Sequence, residues 1–512
     1  MFRPLATSAL ALILGAGTAL ADVTPAEVWE SLERTYTDMG YQVGVGARSE
    51  DGDTLRLENV VLGAAQDAPG QFSATFPAIV LTDAGDGTVR SVIEGDIALT
   101  SRAPDRMGRE GGFDAVMQMP GNETLSSGTP EEMQHRYTVP ELRLTGTALD
   151  SEGESPLTMV LTDFQGNQGI RQATGGGNTQ SYDLRAARMQ VQLSGQGPAL
   201  DAEGEPDTGE AAAAESFTAD ITAEQLALVG TGTTPGGELD FENNPAEALR
   251  QGLTMDGRLS VGPFSATMQS SRRSVEGEET SGTGTAAAEA GEIGFALSEA
   301  GLTFEGTTRN MQVEGAGDEM PMPLSYGVAT GTARLVMPIL RAEAPQPFSL
   351  TYALEGITLD ESLWASFDPE SQLPRDPANL NIDLSGEAVI ATDLINADGM
   401  EQTEELPIQP RSLSVNRMAL NALGATAEFG GQLTFGEDPS QPVGTLSGDI
   451  TGINQLLDTM VAMGVLPQEQ LMGTRMMLAM FARPVEGEPD RLRTELEFRD
   501  DGSIFANGQQ VQ

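Results

Sequence analysis

From about Val43 onward the chain alternates apolar and polar positions, as at Leu55, Leu57 and Val61, and does so for most of its length. A period of two marks strands with one buried and one wet face. The run Leu423, Ala425, Ala427, Phe429, Gly431, Leu433 and Phe435 lies on one face, against Thr426, Glu428, Gln432 and Thr434 on the other. Near the end, Leu492, Thr494, Leu496 and Phe498 alternate with Arg493, Glu495, Glu497 and Arg499, and Asp501-Gly502 turns the chain into Ser503-Ile504-Phe505. That dipeptide predicts a tight hairpin.

Three segments have helical spacing instead. Thr24 as N-cap, Pro25 at the first helical position, Glu27 three residues after the cap and Gly40 as terminator predict a helix with Val28, Trp29, Leu32 and Tyr36 on one face. A second helix is predicted from about Gly452 to Met463, carrying Ile453, Leu456, Leu457, Met460 and Val461. The third begins at Pro467 and runs to about Phe481, with Leu471, Met472, Met476, Met477 and Met480 on a broad apolar surface. Packing onto the concave face of the sheet is the expected role of that surface; methionine's adaptability also suits acyl chains or variable partners.

Strands are expected to end in a recurring tripeptide, Leu193-Ser194-Gly195, Leu384-Ser385-Gly386 and Leu446-Ser447-Gly448, with Leu144-Thr145-Gly146 close to it. Its irregular spacing predicts a meander rather than a fixed-period solenoid. The 60 glycines predict bulges and bends in a strongly curved sheet, and an aromatic content of 5 % suits a thin one. Two stretches read as flexible, the acidic, alanine-rich 201–216 and the Glu-, Gly- and Ala-rich 276–292. Residues 101–132, with Arg102, Arg106 and Arg109, read as a long loop whose arginines pair with nearby carboxylates. The expected fold is mainly β: a long curved antiparallel meander with an N-terminal helix and a C-terminal helix pair. Its expected parts are a signal peptide at 1–21, a β-rich half at 22–200, a linker at 201–216 and a second β-rich half at 217–512.

The leader reading comes from Arg3, the apolar run Leu5 to Leu20 and the small-residue close Ala19-Leu20-Ala21, with cleavage expected after Ala21. No later run of about 20 apolar residues could cross a bilayer. With no cysteine, a lipoprotein anchor, disulfides and thiolate metal sites are excluded. All 28 basic residues are arginine, against 76 acidic ones, and the net charge of −48 argues against nucleic-acid binding. Lacking lysine, the chain cannot form a phosphate-binding loop of the nucleotide-hydrolase type or a Schiff base. His135, the lone histidine, cannot build a zinc site by itself and reads as a surface residue leading into the strand Tyr137, Val139, Leu142, Leu144. Acidic turns such as Asp51, Asp53 and Glu58 lack the spacing of a calcium loop. No cofactor is called for.

The segment Leu363-Trp364-Ala365-Ser366-Phe367-Asp368-Pro369, the piece Leu373-Pro374-Arg375-Asp376-Pro377-Ala378 and the stretch Ile453 to Gly508 resemble the family called domain of unknown function 2125. The resemblance implies an exported alphaproteobacterial protein, hence a periplasmic one, and transfers no catalytic residue. Arg375 and Asp376, between prolines, read as a rigid turn bonding to neighbouring backbone. More distantly, the helix pair and terminal hairpin on a glycine-punctuated meander resemble AsmA-type and YdgA-type envelope proteins, which implies an apolar groove and lipid handling. The expected function is therefore non-enzymatic binding of a lipid or another hydrophobic ligand in a groove, or envelope maintenance. The alternatives are a spacer or assembly factor for envelope proteins, and a carboxylate-dependent glycan hydrolase.

Overall fold

The computed structural model describes residues 23–38, 41–63, 71–104, 110–150, 153–174, 176–198, 214–236, 244–273, 278–318, 320, 322–396, 406–436 and 438–511. The expected leader lies outside them. Helix α1 (Pro25–Asp38) precedes β1 (Gln42–Asp51), β2 (Thr54–Gly63), β3 (Gln71–Asp83), β4 (Val89–Glu94), β5 (Ile97–Pro104), β6 (Glu110–Gln118) and β7 (Glu123–Thr129). The long strands β8 (Glu132–Asp150), β9 (Gly153–Gln172), β10 (Gly177–Pro198) and β11 (Ala214–Pro235) follow. Next come α2 (Pro245–Arg250), β12 (Thr254–Val261), β13 (Phe264–Arg273), β14 (Glu279–Ala288), β15 (Ala290–Ser298), β16 (Gly301–Gly317), β17 (Leu324–Met337) and β18 (Gln346–Leu359). The chain continues with α3 (Glu361–Phe367), β19 (Ala378–Ile390), β20 (Ile408–Ala422), β21 (Ala425–Phe435) and β22 (Pro442–Thr451). It closes with the helices α4 (Ile453–Ala462) and α5 (Gln468–Phe481) and the strands β23 (Arg483–Val485), β24 (Glu488–Phe498), β25 (Ile504–Ala506) and β26 (Gln509–Gln510).

These 26 described strands form one antiparallel sheet, the expected long meander with its N-terminal helix and C-terminal helix pair. Strands pair with their chain neighbours, except where one position in the sheet is shared by two short strands: β4 and β5 against β3, or β12 and β13 against β11. β10 and β11 pair from Gly177↔Pro235 to Pro198↔Ala214, with only Ala187 and Gln225 left out of the register. Residues 201–213 of the expected linker lie outside the described residues, and 214–216 belong to β11.

Two stretches expected to be irregular are strands. Residues 101–132 contain the end of β5, then β6, β7 and the first residue of β8; Arg102 pairs with Asp114 at 2.8 Å, while Arg106 and Arg109 lie outside the described residues. The expected flexible stretch 276–292 forms β14 and the start of β15, with 276 and 277 outside the described residues. In both, glycine and alanine occupy positions where a strand usually carries large apolar side chains, so the alternation is muted. The backbone ladder, made to a neighbour on each side, needs no large side chain.

The recurring tripeptide lies inside strands rather than at their ends, because its glycine receives an aromatic ring. Gly195 faces Phe217, Gly386 faces Phe348 and Gly448 faces Phe429 in direct register. A Cβ on these glycines would sit 2.4, 2.7 and 2.3 Å from a ring carbon of the respective phenylalanine. The ring covers the backbone that glycine leaves bare.

A line of backbone irregularities crosses the sheet. Asn59, Asp163, Gln225 and Asn310 take φ of 52°, 52°, 54° and 48° in the interiors of β2, β9, β11 and β16, and Gly356 takes 67° in β18. Asn59 lies opposite Pro77, Asp163 opposite Pro140 and Asn310 opposite Ala329, where the paired register skips one residue on each strand. Proline fits because no ladder bond is made there. Each irregularity resets the alternation by one residue, so Leu57 and Val60 are both buried across Asn59. Without that step, the apolar face would cross to the other side of the sheet halfway along each strand. Bulges also bend and twist a strand, and a row of them bends the sheet along a line.

Buried side chains gather in small clusters. Val28 and Trp29 of α1 pack with Leu55, Leu57, Val60, Leu81, Val89 and Met133, and Ala246, Ala248 and Leu249 of α2 pack with Leu253, Ile339 and Leu340. Other strands have no buried residue at all, among them β13, β14, β16 and β20. The predicted capping box of α1 is present, with Thr24 N and Oγ1 both donating to Glu27 Oε2 at 2.9 Å. Leu423, expected on a strand face, instead occupies the β20–β21 turn at φ 55°.

Candidate functional site

Directly opposed residues of antiparallel strands point to one face, so the register identifies which side chains share it. One row runs Phe295, Phe304, Leu335, Leu350, Leu384, Val415, then past Gly431 to Leu446 and Leu496. A parallel row two residues away runs Leu228, Leu259, Ile293, then past Gly306 to Ala333, Tyr352, Ile382, Met418 and Phe429. On β18 the face carries Phe348, Leu350, Tyr352 and Leu354 in sequence, so up to four such rows lie side by side. At about 4.8 Å per strand, the apolar face extends about 45 Å from β12 to β24, and four rows span about 20 Å along the strands.

This face is accessible. Leu259, Ile293, Phe295, Phe304, Leu350, Met418 and Leu420 are between 36 and 49 % exposed. An exposed apolar area on this scale is larger than a protein surface usually leaves open.

The opposite face is charged. Arg258 pairs with Glu292 at 2.6 Å, Arg334 with Glu305 at 2.9 Å, and Arg417 with Glu428 at 3.1 Å. Asp449 accepts from Arg491 at 3.0 Å and Arg493 at 3.2 Å. Desolvation would raise the Asp449 carboxyl, but those two hydrogen bonds and the nearby positive charge outweigh it and hold it below the usual carboxylate range. Exposed pairs of this kind add little stability. Their role is to keep this face wet and the apolar face unambiguous.

At the C-terminal end the helix pair leaves its methionines outside. Met472, Met476, Met477 and Met480 are 76, 71, 55 and 50 % exposed, Leu471 is half-buried, and α5 has no buried residue. The expected packing of this surface on the sheet is therefore not what the structure has. Polar ties anchor α5 instead: Arg475 Nη2 donates to Asp458 Oδ1 at 2.7 Å, and the Phe481 carbonyl accepts from Thr494 Oγ1 at 2.6 Å and Asn507 Nδ2 at 2.9 Å. These bonds fix the helix through its polar side and its last turn.

The family-motif turn is tightly held. Arg375 donates to Glu361, to the Asp368 carbonyl at 3.2 Å and to Ser371 Oγ at 2.8 Å, and stacks over Trp364 at 5.3 Å. Asp376 follows it before β19. Asp368 is the only buried carboxylate among the described residues, and its oxygens accept from Gln372 N at 2.8 Å and Leu373 N at 3.0 Å. Glycosidase chemistry uses two carboxyl groups about 5–10 Å apart across a cleft. Among the described residues there is also no group of three metal-ligating side chains, and no helix is long and apolar enough to cross a membrane.

His135 is not on the surface: it is 1 % exposed, beneath α1. It shares the inner face of β8 with Met133 and Tyr137, and α1 covers that part of the sheet. Its Nδ1 lies 2.8 Å from Ser126 Oγ, its registered neighbour on β7. Burial pushes its pKa down to about 4. Burial, and to a lesser degree Tyr36, also push the Tyr137 phenol up.

No curated protein and no solved structure matches the chain. Residues 236–508, which contain most of the apolar face, the family-motif turn and the helix pair, match the family model described as an uncharacterized protein conserved in bacteria, domain of unknown function 2125. The chain belongs to that family.

Proposed function

We propose that this is a non-enzymatic protein of the cell envelope that holds the acyl chains of a lipid against the inner face of its sheet. One observation carries the reading: parallel rows of half-exposed apolar side chains cross the strands from β12 to β24, with a charged face behind them. An acyl chain spans half of a bilayer's hydrocarbon core, about 15 Å. It fits across rows about 20 Å wide, and the length of the face accommodates several chains side by side. The methionine surface of α5, at the C-terminal end of the same face, gives an adaptable apolar contact for loading or release. The export expected from the first residues would place the protein among envelope lipids.

The test is mass spectrometry of organic-solvent extracts from full-length protein isolated from cells without detergent, beside its Leu350→Glu, Leu384→Glu double variant. A stoichiometric acyl lipid in the native protein, lost from the variant, supports the reading. If the two extracts are equally empty, the face serves a protein partner, and the assembly role takes its place.

A further inference from the structure

Helix α5 carries its polarity the wrong way round for a surface helix. From Leu471 to Met480 its exposed positions are Met472, Gly473, Met476, Met477, Ala479 and Met480, and the only polar side chains there, Thr474 and Arg475, are half-buried. Arg475 turns to α4, donating to Asp458 Oδ1 at 2.7 Å and to the Asn454 carbonyl at 3.5 Å, and Thr474 Oγ1 donates to the Gln470 carbonyl at 3.0 Å. A surface helix ordinarily presents charged and polar side chains to water. Met472, Met476 and Met480 recur every four residues, so the free face is one apolar stripe along the helix.

Charge around the stripe also departs from the rest of the chain. Residues 452–485 hold two acids, Asp458 and Glu469, and two arginines, Arg475 and Arg483, so the segment is neutral in a chain of net charge −48. A second copy would bring the same excess of negative charge, which opposes self-association. A protein interface usually carries about one hydrogen bond per 100–200 Å² and is anchored by tryptophan, tyrosine or arginine. The stripe offers no side-chain donor and no such anchor. A bilayer needs neither, because apolar burial is non-directional, and a zwitterionic surface does not repel a neutral segment.

We propose that α5 lies on a zwitterionic lipid bilayer with Met472, Met476 and Met480 inserted among the acyl chains, which brings the C-terminal end of the apolar face to the membrane. Docking of this kind rests on the lipid reading of that face and adds the surface that supplies the lipid.

Co-sedimentation with sucrose-loaded phosphatidylcholine vesicles reads docking directly in protein isolated from cells. Native protein should bind, and the Met472→Gln, Met476→Gln, Met480→Gln variant, which changes polarity at nearly constant shape, should bind more than tenfold more weakly. Leucine at the same three positions should keep the binding. All three positions are exposed, so both variants should fold as the native protein does. The Leu350→Glu, Leu384→Glu variant should still bind vesicles: a lipid-free protein that docks counts against the acyl face alone, and a lipid-loaded protein that does not dock counts against α5 alone. No binding to the vesicles, which would leave a protein partner, equal binding by the glutamine variant, or a native dimer that the glutamine changes convert to monomer in light scattering would each overturn the proposal.

Discussion

Deleting Asp163 from β9 tests whether the line of irregularities sets the face of the sheet. Asp163 is the extra residue between Leu161 and Phe164, whose side chains lie on the apolar side. Without it, one half of β9 must turn over. Turning the first half exposes Leu157, Met159 and Leu161, each half-buried, at about 1 kcal/mol apiece. Turning the second half exposes Phe164 and the buried Ile170, at a similar total of about 3 kcal/mol. Asp163→Val keeps the length but places a β-branched side chain at φ 52°, at a cost of about 1–2 kcal/mol. Asp163→Gly keeps both length and conformation and should be nearly neutral. Urea unfolding followed by fluorescence of the two tryptophans, Trp29 and Trp364, should rank the midpoints as glycine variant, valine variant, deletion. A deletion as stable as the native protein, or a valine variant equal to the glycine variant, would refute the reasoning.

The glycine under each ring gives a second test: Gly448→Val should cost more than about 2 kcal/mol, and Phe429→Ala in the same chain should recover part of that loss in a double-mutant cycle. Leu350→Glu, at a position 36 % exposed, should lower stability by less than about 2 kcal/mol in thermal unfolding while removing bound lipid. His135 should shape the acid limb. Because its folded pKa of about 4 lies below the ordinary 6.5, its effect is absent above pH 6.5, and below it the unfolded chain takes up a proton that the folded chain refuses. Stability should fall by about 3 kcal/mol between pH 6.5 and 4, and His135→Gln should flatten that stretch in pH-dependent unfolding. The lowered carboxylates, such as Asp449, act in a separate window, since their contribution is lost as pH falls through their own lower pKa values.

The alternation at Leu492–Phe498, the capping box at Thr24 and the spacing of the helix pair were legible because each is local in the chain. Strands β6, β7 and β14 were not, because Gly112, Gly282, Gly284 and Ala286 stand where large apolar residues would announce a strand. The burial of His135 depends on α1, about a hundred residues away, although its place in the alternation with Met133 and Tyr137 pointed to the inner face. The extra residues had a signal that alternation alone overlooks, a step of three between apolar positions at Leu57–Val60, Leu161–Phe164 and Leu354–Ile357. Exposure of the methionines on α5 could not be read from spacing, since a buried and a free apolar helix face look alike in sequence.

The central claim is that one face of the sheet, and not the other, meets acyl chains. A photoreactive amino acid placed in turn at Phe304, Leu350, Leu384 and Leu446 on the apolar face, and at Arg334, Asp383 and Arg417 on the charged face, tests it in cells. Intact-protein mass spectrometry after illumination should find acyl-lipid adducts at the first set and none at the second. Adducts at both sets, or only protein crosslinks at the first, would contradict the account.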